Sequence, residues 1–203
     1  ILRVVNSALY AGLEKVTSVQ HAIARIGMNA VKNVALSTAV FSSFGAFGSA
    51  RFNREAFWRH SISVGIAGTV VANRAGKTLK RRYSKDVLHL AGLLHDVGKV
   101  IFEQYFHEEF AKALEISDTE KVTLLDAENR VLGAGHTDVG AVLGSKWKLG
   151  PEFLQAIRWH HDPTAADPAA AELVGIIHTA NYICNLEQLG GSGDAAPGFH
   201  AGV

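Results

Sequence analysis

The chain has 203 residues, 48% hydrophobic and 19% charged, which describes one globular domain or two packed subdomains and excludes a disordered chain. Twenty basic against nineteen acidic side chains leave a formal charge of +1, without the strongly basic balance of a dedicated nucleic-acid binder. The single cysteine, Cys184, excludes a disulfide framework and a cysteine-built zinc site, so nitrogen and oxygen must hold any metal bound among the ten histidines.

The opening run Ile1-Leu2-Arg3-Val4-Val5 starts in mid-pattern and reads as the tail of a helix that begins earlier. It is too short for a secretory signal, and the longest uncharged stretch, 33–50, is too polar to span a bilayer. The expected location is therefore the cytoplasm. Apolar spacing is helical almost throughout. Ser18 caps a helix that Gly27 ends, and Asn29 restarts one running towards Phe41. The Ser/Gly-rich stretch 42–49 predicts a loop, and Asn53 caps a long helix closing near Gly76. Further helices are expected over 86–96, 100–106, 107–116 and 120–132, with a break at Ser117-Asp118. Thr137 or Asp138 starts the next, ended near Gly150, and Pro151 opens a helix over 151–161. The last runs over 169–188, before a Gly/Ala-rich stretch expected to be a flexible tail. The fold class is all-α, in three parts. Residues 1–50 form the end of a small amino-terminal helical subdomain, 51–189 a helical bundle with the candidate metal site, and 190–203 the tail.

Histidines and acids gather at predicted helix ends: His60, His95-Asp96, His136 and His160-His161. Neutral imidazole suits first-row transition metals, and a carboxylate can bridge two ions. A His-Asp doublet with distant histidines is what a mono- or dinuclear hydrolytic site needs. Any one of them alone is more often a cap or a surface histidine.

Leu93-Leu94-His95-Asp96-Val97-Gly98-Lys99 resembles the signature of the HD superfamily of metal-dependent phosphohydrolases. More closely, the chain resembles the HDOD domain, a bacterial signalling branch of that superfamily. The resemblance is carried in order by Leu2 to Ala8, Ala22 to Gly27, Trp58-Arg59-His60-Ser61 and Ala91 to Asp96. It continues with Gly135-His136-Thr137-Asp138-Val139-Gly140-Ala141 and Trp159-His160-His161-Asp162-Pro163, covering roughly 1–188. It implies an HD-like orthogonal helical bundle. It also implies that His60, His95 and Asp96 are metal ligands, with His136, His160 and His161 as the additional ligands of the cyclic-di-GMP phosphodiesterase branch. Asp96 and Lys99 would be the catalytic pair of an active enzyme, Lys99 lying near substrate phosphate. The metal would be manganese, iron, nickel or zinc. Two departures argue against cyclic-di-GMP hydrolysis. The closing aspartate of the pattern falls at Asn181, a weak neutral ligand, and Asp162-Pro163-Thr164 stands where Gly-Tyr-Pro would follow the histidine pair. His178, three residues before Asn181, is the one candidate substitute ligand.

The resemblance implies a regulatory output role beside receiver or cyclic-dinucleotide signalling domains. Two alternatives stay open: an active phosphohydrolase on a nucleotide or other phosphoester, and a non-catalytic nucleotide- or metal-sensing module. Neither membrane nor nucleic acid is an expected partner. Lys77, Lys80, Arg81, Arg82 and Lys85 put five cations within nine residues and read first as a solvated loop. Trp58, Trp147 and Trp159 read as core anchors.

Overall fold

The computed structural model describes residues 2–6, 15–43, 52–195 and 198–199. Among these it holds eleven α-helices and two short 3-10 turns, and no strand. They are α1 (Leu2–Val5), α2 (Val19–Ile26), α3 (Met28–Ser43), α4 (Arg54–Ala75), α5 (Lys85–Leu94) and α6 (Val97–Tyr105). Then come α7 (His107–Glu120), α8 (Leu124–Leu132), α9 (His136–Lys146), α10 (Pro151–Trp159) and α11 (Ala171–Leu186). The all-helical reading of the sequence is correct.

Local chemistry sets most helix ends. Ser18 Oγ accepts from the His21 amide at 3.0 Å, and Asn53 Oδ1 from the Ala56 amide at 2.9 Å. Each satisfies a donor that the first turn would leave free. Pro151 occupies the first turn of α10, where its missing N–H costs nothing. Several boundaries differ from the sequence reading: the helix expected from 100 starts at Val97, and the one expected from 120 starts at Leu124. The α7–α8 break comes at Lys121, whose φ of 55° is left-handed, and not at Ser117-Asp118. Ser117 is buried inside α7 and donates from Oγ to the Val122 carbonyl at 2.9 Å, so it closes the turn rather than interrupting the helix. Of the predicted 42–49 loop, Ser42 and Ser43 belong to α3, and the remainder lies outside the described residues.

Two apolar clusters fill the bundle. One joins Val64, Leu88, Leu94, Val97, Ile157, Leu173 and Ile177 from α4, α5, α6, α10 and α11. The other joins Phe57, Val100, Phe102, Phe110, Leu114 and Leu124 from α4, α6, α7 and α8. Trp58 packs against both. Helix α6 therefore feeds one cluster through Val97 and the other through Val100, and the polar residues at its start lie between them. Helices α4 and α5 meet at Gly65 and Gly92, where a Cβ on Gly92 would stand 2.3 Å from the Gly65 amide nitrogen. The amino-terminal helices carry a small cluster of Val5, Val16, Ala22 and Val31. They are tied to the bundle by Leu36 and by Asn33 Nδ2 donating to Asp86 at 3.1 Å.

Residues 190–195, read from sequence as the start of a flexible tail, are hydrogen-bonded onto the bundle. The Gly191 amide donates to the Ala56 carbonyl at 2.9 Å, and Asp194 Oδ1 accepts from the Leu124 amide at 3.1 Å. Gly190 has φ of 86°, and a Cβ there would meet the His60 amide nitrogen at 2.3 Å. Only glycine lets the strand of backbone lie this close to α4. No described helix is long and apolar enough to cross a membrane.

Candidate metal centre

Asp96 sits in the short bend between α5 and α6, with none of its side chain exposed. A buried carboxylate needs partners, because desolvating the charge alone is prohibitive. Here Lys99, one helical turn on, donates from Nζ to Asp96 Oδ2 at 2.6 Å and is itself buried. His95 beside it, His136 from α9 and His160 from the end of α10 converge on the same carboxylate. His95 Nε2 lies 3.3 Å from Oδ2, while His136 Nε2 and His160 Nε2 lie 3.2 and 3.3 Å from Oδ1. His161 Nε2 is 3.2 Å from His136 Nε2, and the His60 ring stands 5.6 Å from that of His95. Two ligand sets result, sharing Asp96. One is Asp96, His136, His160 and His161, the other His60, His95 and Asp96, with donor atoms in each within 4.8 Å.

Three of these rings are held the same way. Nδ1 of His95 pairs with the Gly92 carbonyl at 2.7 Å, and Nδ1 of His160 with the Ile157 carbonyl at 3.0 Å. Nδ1 of His136 pairs with Glu128 Oε2 at 2.6 Å. At His95 and His160 the acceptor at Nδ1 fixes the proton there and leaves the Nε2 lone pair pointing at Asp96, whereas His136 carries a proton on each nitrogen until a metal displaces one. The result is a buried space where His95 Nε2, His160 Nε2 and Asp96 Oδ1 have no hydrogen-bond partner, close contacts notwithstanding. Buried polar atoms are rarely left so. A divalent cation in each set, one taking His160 Nε2 and the other His95 Nε2 with the carboxylate shared, would satisfy all three, so the donor sets fit such ions.

Charge follows the same geometry. Burial and then His95 push His60 down to about 4, and burial pushes His160 down to about 3, so both are neutral near pH 7. Burial, with His160 and His136 beside it, also lowers His161. Burial works against the ionised form of Asp96, but His95 and Lys99 outweigh it and hold the carboxyl well below its usual range. Burial likewise opposes charge on His136, and the Glu128 carboxylate overrides it, holding the imidazole up at about 9. Burial opposes charge on Lys99 too, and Asp96 raises it.

All six histidine and aspartate positions singled out from sequence come together, although they span α4, the α5–α6 bend, α9 and the end of α10. Lys99 is beside Asp96 as expected, but its Nζ also donates to the Ser192 carbonyl at 3.1 Å. Asn181 faces His60, with Oδ1 2.9 Å from its Nε2, and accepts a second bond from Asn185 at 3.1 Å. His178 does not substitute for it as a ligand. Its Nδ1 donates to the His160 carbonyl at 2.8 Å, and the ring stacks on Phe199.

Sequence reading missed three residues that shape the centre. Glu128 is fully buried in α8 and also accepts from the His136 amide at 2.8 Å. Its signal was present: Leu124, Ala127 and Glu128 share the inward face of α8, so a carboxylate stands where the helical period asks for an apolar side chain. Gly98 lets the start of α9 approach α6, for a Cβ there would lie 1.9 Å from the His136 carbonyl. Ser192 carried no local signal.

The HDOD domain family profile matches residues 1–163, four-fifths of the chain. A protein of unknown activity from Treponema pallidum is 24% identical over 181 residues, 89% of this chain and 34% of its own length. Among solved structures, an HDOD domain protein of unknown function from Geobacter sulfurreducens superposes with a TM-score of 0.74 at 27% identity, covering all of this chain and 64% of that one. A Marinobacter aquaeolei protein provisionally called a signal transduction protein gives 0.73 at 21% identity, covering 98% and 43%. This chain thus spans about a third to two-thirds of the proteins it resembles.

Proposed function

We propose that this chain, which belongs to the HDOD domain family, is a cytoplasmic regulatory module organised around a divalent-metal centre at Asp96. The observation that carries the metal is the set of orphaned Nε2 and Oδ1 atoms, each ring turned by an acceptor at its other nitrogen. Asp96, His136, His160 and His161 would hold one ion, with His60 and His95 completing a second set through the shared carboxylate. Imidazole and carboxylate donors suit manganese, iron, nickel or zinc. When bound, such an ion supplies Lewis acidity and cross-links α4, α6, α9 and α10.

That cross-link favours regulation over hydrolysis. In phosphoester hydrolysis a side-chain cation beside the metal adds stabilisation to the developing charge. Lys99, the residue best placed for it, is buried and commits two of its three donors, to Asp96 and to the Ser192 carbonyl. Its ammonium is therefore a structural clamp between the centre and the 190–195 segment. Metal occupancy would set how tightly these elements are held, and signalling domains or proteins of the receiver or cyclic-dinucleotide type would read that state.

Metal reconstitution followed by elemental analysis tests the centre. Wild type should retain stoichiometric manganese, iron, nickel or zinc after gel filtration, and a His95→Ala, Asp96→Ala double variant only traces. Equal trace content in both would overturn the proposal.

A further inference from the structure

The basic run Lys77 to Lys85 has no role at the metal centre. It follows the carboxyl end of α4, thirteen residues beyond His60 at Asn73, which at 1.5 Å per residue is about 20 Å away. In the structure this run does not spread over the surface. It folds around a cavity of about 510 Å³ lined by Asn73, Lys77, Lys80, Arg81, Arg82 and Tyr83, with no carboxylate in the lining. That volume lies within the range of small-ligand sites.

The run is also held in shape. The Arg81 guanidinium pairs with Glu152 of α10 and lies over the Tyr83 ring, 4.5 Å from its centroid. The Lys80 amide donates to Glu172 of α11 at 2.6 Å. Both carboxylates grip the segment from outside the cavity. Asp86, the nearest acid in sequence, is engaged by Asn33 at 3.1 Å. Glutamates thus fix the backbone and Arg81, while Lys77, Lys80 and Arg82 remain exposed without an ion-pair partner among the described residues. The carboxyl end of α4 adds a partial negative charge of about half a unit, small against the three unpaired cations. Tyr83 leads into the amino terminus of α5, whose dipole has the opposite sign.

We infer that this cavity is a binding site for a small, multiply charged phosphate anion, a linear oligophosphate or the phosphate chain of a nucleotide. One exposed ion pair stabilises little, but several cations fixed around one concavity act on a ligand whose charges are equally close-set. The site is separate from the metal centre and does not depend on it.

Calorimetric titration of inorganic triphosphate into the whole chain tests the inference, using protein freed of metal so that chelation cannot contribute heat. Saturable binding is expected, weakening as salt is raised. Lys80→Gln with Arg82→Gln should raise Kd at least about tenfold, because two charge-assisted contacts are lost. The exposed pair Lys112→Gln with Lys146→Gln should leave it unchanged. Adenosine triphosphate binding more tightly than triphosphate would make the ligand a nucleotide, and equal affinity would confine recognition to the phosphates. No saturable binding, or the same loss in both double variants, would overturn the inference. So would a single-stranded oligonucleotide binding more tightly than triphosphate through Lys80 and Arg82, which would make this a nucleic-acid groove.

Discussion

At His60, α4 passes a region where Asp96, Lys99, Glu128, His95, His136 and His160 are all withdrawn from water. About 20 Å further on, past the carboxyl end of the same helix, the side chains of Lys77, Lys80 and Arg82 stand in solvent. At the first end every charge has a partner at contact distance, because an unpaired charge there would cost more than the fold can supply. At the second, water solvates Lys77, Lys80 and Arg82, while Glu152 pairs with Arg81 and Glu172 holds the backbone at Lys80. Lys99 and Lys80 are the same side chain put to different uses. Burial turns the first into a clamp, and exposure leaves the second free for a ligand.

The largest effect should come from breaking the buried end. Asp96→Ala leaves Lys99 without its carboxylate in a site that water does not reach. It should cost about 3–5 kcal/mol of stability in chemical denaturation and abolish metal retention. Adding Lys99→Met should recover part of the stability and none of the metal binding. A loss under about 1 kcal/mol would mean that water reaches this site after all.

Glu128→Gln sharpens the contrast without removing volume. Losing the negative charge of the acceptor that orients His136 should weaken metal binding about 10- to 100-fold when measured above pH 9. That condition matters because wild-type His136 carries a proton that the metal must displace. With its value raised from 6.5 to about 9, the stability given by protonated His136 in the metal-free protein is complete below 6.5 and lost as pH rises through 9. Wild-type metal affinity should accordingly climb by up to tenfold per pH unit and level off near pH 9. In Glu128→Gln the plateau should begin at lower pH. Competition titration with a metal indicator across pH reads both effects, and a pH-independent wild-type affinity would refute the proton release.

Asn181→Asp adds a carboxylate against His60. It should tighten metal binding by about tenfold, equal to about 1.4 kcal/mol of coupling. An exposed control, Asn129→Asp, should not. The smallest effect belongs to the exposed end, where Lys80→Ala should change stability by less than about 0.5 kcal/mol in the same denaturation assay.

Helix boundaries were legible because their causes are local. Ser18, Asn53 and Pro151 act on amides within one turn, so the sequence carries the whole interaction. The one misplaced break, at Ser117-Asp118, shows the limit: polar residues suggested a loop, but Ser117 points inward and its hydroxyl is satisfied across the turn. The candidate ligands were legible through an ordered motif whose spacing survives on the chain. Glu128 was hidden among Asn129 and Arg130, which look like an exposed helix face, and Ser192 contributes only a backbone carbonyl, which every residue has.

The chain by itself determined that this protein is helical, where most helices start, and that any metal donors are nitrogen and oxygen. Tertiary packing decided which of the ten histidines meet. It turned His178 towards the His160 carbonyl, drew His136 against Asp96 through the glycine contact at 98, and closed Lys99 under the 190–195 segment. The physical reason is range. Caps and turns act over one to four residues, whereas the desolvation that pairs Asp96 with Lys99 and orphans the Nε2 atoms exists only once two apolar clusters have shut water out.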